Sequence, residues 1–240
     1  QRIKILQDAL DSDEIRAIFF ARGGYGTIQI IDYLDFNNFR KNPKWLVGFS
    51  DITILLTYIK THFNIQTIHG PMPYNFKSTN KNALNNIFSL LQGKCQAIQA
   101  PFFRLNKLGS CKGAVIGGNL SIIYSLMGSK DITSINGSIL FLEDVDEYLY
   151  HLERMIYTMD RSGLLNNLKG LIIGQMTGIL DNKDPFGKTV HQLIYDIVEK
   201  YDYPICFNFP IGHALDNQPI IVGAEIELDI NKDVSKITYL

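Results

Sequence analysis

Two hydrophobic patterns alternate along this chain: apolar residues recurring every three or four positions, and short unbroken apolar runs. Ile3, Leu6 and Leu10 predict a helix over 2–11, already under way at the first residue. Ile15 to Ala21 is an apolar run bounded by polar residues, the pattern of a buried parallel strand. It ends in Arg22-Gly23-Gly24-Tyr25-Gly26, and a helical stretch is expected from there to about Leu34. A second apolar run over 44–49 turns at Ser50 into a helix marked by Ile52, Leu55, Leu56 and Ile59. A short strand over 65–68 runs into His69-Gly70-Pro71-Met72, and an amphipathic helix over 80–93 follows. Strand and helix in strict alternation indicate an α/β fold with a doubly wound parallel sheet.

From Gly93 to Gly113 the helical period stops, and this stretch, with a turn at Leu108-Gly109-Ser110, reads as a linker or edge strand. The domain boundary is placed there, giving a first domain over 1–100 and a second over 101–240. In the second, a short strand at 114–116 leads through Gly117-Gly118-Asn119 into a helix to about Met127. Ser138 to Leu142 is a buried strand ending in Glu143 and Asp144, and Leu152, Met155, Ile156 and Met159 define the next helix. A strand over 170–176, a helix over 187–201 and a strand over 205–209 follow, the last leading to Pro210-Ile211-Gly212-His213. The tail, 220–230 and 236–240, alternates as a closing hairpin or paired strands.

Composition narrows the function classes. The 240 residues are 46% hydrophobic and 20% charged, enough for one large or two modest buried cores. A net charge of -1 without a basic run excludes a global field for nucleic acid or an anionic membrane, so a small or neutral ligand is expected. Three scattered cysteines, with no C-x-x-C pair, argue against a disulfide framework or a zinc site and fit a reducing compartment. His151 and Glu153 form an H-x-E, but no P-C-x-x-C follows it, which removes the zinc-deaminase reading. No apolar run reaches the ~20 residues of a membrane span, and the start has no signal-peptide pattern. Because the first helix lacks a preceding strand, a segment upstream of Gln1 is expected.

Several residues have the right chemistry and more than one reading. Ser50, at a strand-to-helix turn, is either an ordinary helix N-cap or a nucleophile beside the free N–H groups of the helix. The 22–26 loop is either a glycine turn or a backbone cradle for an anion, and Gly117-Gly118-Asn119 has the same two readings. Glu143 and Asp144 are helix-capping carboxylates or catalytic ones. His69 and His213 are local hydrogen-bonding residues or site-lining ones. Ser50, Glu143 and His213 fall in one of the chain orders that a serine hydrolase uses, which permits a triad without proving it.

Six motifs taken together carry more weight: RGGYG at 22–26, PKWLVGFSDIT at 43–53, HGPM at 69–72, GGNLS at 117–121, FLEDVDE at 141–147, and IGH at 211–213 followed by Asn217. In order and spacing the whole chain resembles the LD-carboxypeptidase family of serine peptidases, which includes murein tetrapeptide carboxypeptidases and microcin C immunity peptidases. The resemblance implies a flavodoxin-like N-terminal domain, a smaller α/β C-terminal domain and an active site between them. It implies Ser50 as nucleophile, His213 as general base, Glu143 as triad acid, and an oxyanion hole from the backbone N–H groups of Gly24 and Asp51. Arg22, Gly117, Gly118 and Asn119 are expected to meet the substrate carboxylate. The elbow departs from G-x-S-x-G, with Ile52 at the second glycine, as the family's own motif does. No cofactor or metal is implied; the expected partners are a murein tetrapeptide and a second copy of the chain, with no nucleic acid or membrane, in the cytoplasm.

Overall fold

The computed structural model describes residues 1–132 and 135–240. In chain order the elements are α1 (Arg2–Asp11), β1 (Ala17–Phe19), α2 (Asn37–Lys41), β2 (Trp45–Gly48), α3 (Thr53–Phe63), β3 (Thr67–His69), α4 (Lys81–Leu91) and β4 (Ile98–Pro101). They continue with β5 (Gly109–Asn119), α5 (Leu120–Ser125), β6 (Ile139–Val145), α6 (Leu149–Arg161), β7 (Gly170–Thr177), α7 (Val190–Val198), β8 (Ile205–Cys206), β9 (Ile220–Val222), β10 (Glu225–Ile230) and β11 (Val234–Tyr239).

These strands form two sheets, ordered β1-β2-β3-β9 and β4-β11-β10-β5-β6-β7-β8. The first has β1, β2 and β3 parallel, with β9 added antiparallel to β3. The second is parallel from β5 to β8 and antiparallel from β5 to β4. The molecule is therefore a mixed α/β protein, parallel where helices connect successive strands, as the alternating pattern requires.

Three expectations need correction. The helix expected after the glycine loop is a set of turns ending in one 3-10 turn, Ile31–Tyr33. Gly24 and Gly26 sit at φ +110° and +116°, which a right-handed helix does not accept, and the Thr27 N–H is taken by Asp51. The turn expected at Gly109-Ser110 is the start of the long strand β5, whose first half alternates in burial because it pairs with β10 rather than lying inside a parallel sheet. Finally, the tail divides: β10 and β11 pair as a hairpin, while Ile220–Val222 leaves for the other sheet.

That last strand ties the two halves together. Ile220 and Val222 enter the core of the second sheet with Phe141, Ile172 and Phe209, while Ile221, one residue out of phase, packs with Val47, Ile68 and Ile87 against the first. Burying each of these branched side chains contributes about 2 kcal/mol. The remaining cores lie under the helices. One gathers Leu6, Leu10, Leu55, Leu56 and Ile59 around the Ser50 turn, and the other gathers α5, α6 and α7 on the outer face of β6 and β7.

Candidate active site

Ser50 stands where β2 ends and α3 begins. Its φ is +60°, a left-handed conformation that costs a non-glycine residue about 1 kcal/mol or more and that marks functional turns. Gly48 precedes it inside β2, and a 3-10 turn over Ser50–Ile52 leads into the helix. No side chain caps this turn. The first bonded amide of the turn is that of Ile52, donating to the Phe49 carbonyl at 3.3 Å, so the amides of Ser50 and Asp51 precede the hydrogen-bonded ladder. Gly23 lies directly over the serine: a Cβ on Gly23 would stand 2.8 Å from both Ser50 Cβ and Oγ. Only glycine permits that approach.

His213 and Glu143 meet although they come from different segments. His213 Nδ1 lies 2.6 Å from Glu143 Oε2. Glu143 is fully buried, near the end of β6, and the His213 side chain is 16% exposed. Burial opposes the imidazolium, but the Glu143 hydrogen bond and the charges of Glu143, Asp144 and Asp146 outweigh it, so the His213 pKa is raised. Because Nδ1 is engaged, Nε2 is the ring nitrogen left for another group. The Phe49 ring, next to the serine, packs on the imidazole with centroids 4.7 Å apart.

The loop carrying His213 is fixed by three hydrogen bonds that the sequence did not announce. The Gln175 amide donates to the Ile211 carbonyl at 2.8 Å, and the Ala214 amide donates to Gln175 Oε1 at 3.2 Å. The Gly212 amide donates to Asn217 Oδ1 at 3.1 Å. Gln175 lies where the β6–β7 register shifts, between the Leu142–Ile173 and Asp144–Met176 pairs.

The adjacent carboxylates of β6 part company. Glu143 turns to His213, whereas Asp144 accepts from Asn119 Nδ2 and from the Ser121 and Val145 amides, each at 2.9 Å. Burial raises the Asp144 carboxyl to about 6, with Glu143 adding to the rise and those three hydrogen bonds opposing it.

The residues expected to meet a substrate carboxylate are placed as follows. Asn119 is buried, bonds Asp144 and caps α5 by accepting from the Ile122 amide. Gly117 and Gly118 lie where a Cβ would collide with the Phe141 carbonyl oxygen at 1.9 Å and with Thr53 Cγ2 at 2.4 Å. Both glycines thus serve the close packing of β5 on β6 and α3. Arg22 is exposed and lines a cavity of about 530 Å³ with Arg2, Ile5, Tyr25 and Asp51; Ser50, Glu143 and His213 are not among the residues lining it. Gly24 is open to solvent on its Cβ side. His69 is fully buried, flanked by the rings of Phe49 and Phe141. Among the described residues no cluster of three or more potential metal ligands occurs.

Comparison with known proteins places the chain in a family. Residues 1–70 match the LD-carboxypeptidase N-terminal domain and residues 112–228 the LD-carboxypeptidase C-terminal domain. The chain is 28% identical to a probable murein peptide carboxypeptidase of Bacillus subtilis, over 95% of this chain and 73% of that protein. It is also 28% identical to the murein tetrapeptide carboxypeptidase of Pseudomonas aeruginosa, over 97% of this chain and 78% of that one. In structure it resembles a muramoyltetrapeptide carboxypeptidase from Oxalobacter formigenes, with a TM-score of 0.91 at 24% identity, covering 99% of this chain and 83% of that one. The microcin C7 self-immunity protein MccF shares the fold with a TM-score of 0.84 at 18% identity, over 99% and 80% of the respective chains. With both of its domain models matched in order along the sequence, the chain belongs to the LD-carboxypeptidase family of serine-type carboxypeptidases.

Proposed function

We propose that this protein is a serine carboxypeptidase that hydrolyses the amide bond between an L-configured centre and a terminal D-amino acid, releasing D-alanine from murein tetrapeptide in cell-wall recycling. The observation that carries the reading is the buried Glu143–His213 hydrogen bond, whose imidazole packs on Phe49 beside the strained Ser50 turn. In this mechanism His213 Nε2 takes the proton from Ser50 Oγ as the hydroxyl attacks the scissile carbonyl carbon. Glu143 holds the imidazole orientation and compensates its charge. The amides of Asp51 and Gly24 face the tetrahedral oxyanion. The imidazolium then gives its proton to the departing amine of D-alanine, leaving an acyl-enzyme. Water, deprotonated by the same His213, cleaves the ester and returns Ser50 to its hydroxyl form.

Residues 1–100 would carry the nucleophile and 101–240 the acid and base, and the family reading makes the enzyme a cytoplasmic homodimer. The deciding experiment incubates the protein with murein tetrapeptide and measures released D-alanine. The wild type should release it and Ser50→Ala should not while remaining folded; normal turnover by Ser50→Ala would end the proposal. Parallel incubation with an aminoacyl sulfamoyl adenosine separates it from the immunity-type activity. That activity would be expected to place an aromatic platform under the base, and the single tryptophan, Trp45, instead packs against Val47 and its neighbours.

A further inference from the structure

We propose that the Asp51 side chain is the positioning residue of the oxyanion hole, latching the 23–27 loop onto the nucleophile turn through Thr27. The inference rests on the reading of Ser50 as nucleophile and of Gly24 and Asp51 as oxyanion donors.

The loop needs an external anchor. It holds three glycines among five residues, and Tyr25, its largest side chain, is 74% exposed. Nothing lies within 4 Å of a Cβ placed on Gly24. Among the described residues, the loop around Gly24 and Tyr25 is held only by an exposed hydrogen bond from Arg2 to the Tyr25 carbonyl at 3.3 Å, and glycine-rich backbone has the most conformational freedom to lose. At one end the loop continues from β1, where the Phe20 amide donates to the Val47 carbonyl at 3.1 Å. At the other end the Thr27 amide and the Thr27 hydroxyl both donate to Asp51 Oδ2, at 2.9 and 2.7 Å. Thr27 and Asp51 are 7% and 5% exposed, so both bonds are shielded from water. Hydrogen bonds to an ionised carboxylate are about twice as strong as neutral ones.

Asp51 lies in the first turn, where an acid complements the helix dipole, but its side chain caps nothing there. An aspartate there commonly caps the first turn, yet neither the Ser50–Ile52 turn nor α3 has a side-chain cap. Its carboxylate reaches 24 residues back along the chain to Thr27 instead. One residue thus offers one donor with its backbone and fixes the loop bearing the other with its side chain. Because Gly23 already touches Ser50, a loop displaced by an ångström would carry the Gly24 amide away from the developing oxyanion, a shift on the scale that costs about 100-fold in rate.

The test compares wild type, Thr27→Val, Thr27→Ser and Asp51→Asn for kcat and KM of D-alanine release, thermal midpoint, and labelling of Ser50 by a fluorophosphonate. Thr27→Val keeps the amide bond and loses the hydroxyl bond; its kcat should fall about 10-fold with KM held within about twofold. Thr27→Ser should restore kcat, and Asp51→Asn, which removes the charge, should lose about 100-fold. A purely structural role would lower the thermal midpoint without splitting kcat from KM. If wild type labels at Ser50 but Thr27→Val turns over normally, the latch alone is wrong. If wild type neither labels at Ser50 nor releases D-alanine, the underlying nucleophile reading fails and takes the latch with it.

Discussion

His213 Nδ1 meets Glu143 Oε2 at 2.6 Å across 70 residues of sequence, on a carboxylate from which solvent is fully excluded. The contact fixes the imidazole orientation and raises its pKa against the pull of burial. In the proposed mechanism His213 is the general base and must be neutral, so activity should be lost as pH falls through that raised pKa, above the ordinary histidine value of about 6.5.

Glu143→Gln tests the contact directly. Removing the charge lowers the His213 pKa, so the acid limb of kcat/KM should move to lower pH while the plateau falls by about 10⁴-fold. An unmoved limb, measured between pH 5 and 8, would show that Glu143 does not set the titration of His213.

Ser50 carries conformational strain at the turn between β2 and α3. At φ +60° a glycine is relieved of the Cβ conflict that an alanine keeps. Ser50→Gly should therefore unfold about 1 kcal/mol later than Ser50→Ala in urea, both variants being inactive. Equal stability would mean that the turn relaxes when its hydroxyl is removed.

Gly117 and Gly118 are packing residues at the seam between β5, β6 and α3. Gly117→Ala drives a methyl against the Phe141 carbonyl oxygen at 1.9 Å, on backbone at φ +146°. A loss of about 3 kcal/mol or more is expected, read as a lowered urea midpoint. Near-wild-type stability with impaired substrate binding would instead restore the glycine pair to a purely ligand-facing role.

His69 makes stability depend on pH. Burial lowers its pKa to about 4, with Glu143 opposing the shift and His213 reinforcing it. The unfolded chain takes up this proton near pH 6.5 and the folded one only near 4, so stability falls as pH drops through that window, by up to about 3 kcal/mol. Asp144 acts in the opposite direction: its carboxyl, raised to about 6, favours the folded state as pH falls. The difference between wild type and His69→Gln isolates the histidine. Its stability gap should narrow or invert from pH 7 to pH 4.5 in urea unfolding, and a constant gap would refute the assignment.

The sequence by itself determined the alternation of strands and helices, the turn at Ser50 and the α/β class, because burial in a parallel sheet writes itself as local apolar runs between helical periods. It also supplied the family, through motifs spread along the chain. It misread the stretch after Gly26 and the start of β5, where the apolar period is broken by left-handed glycines or diluted by antiparallel pairing. The family motif singled out Glu143, whereas residue chemistry alone left Glu143 and Asp144 alike; the tertiary structure sets Glu143 against His213 and Asp144 against Asn119, partners 70 and 25 residues away. Only the tertiary structure decided the place of Gln175 behind the His213 loop and the Asp51–Thr27 pair. Hydrogen bonds between distant segments leave no periodic trace in a sequence, and they exist only once the segments that carry them have been folded against one another.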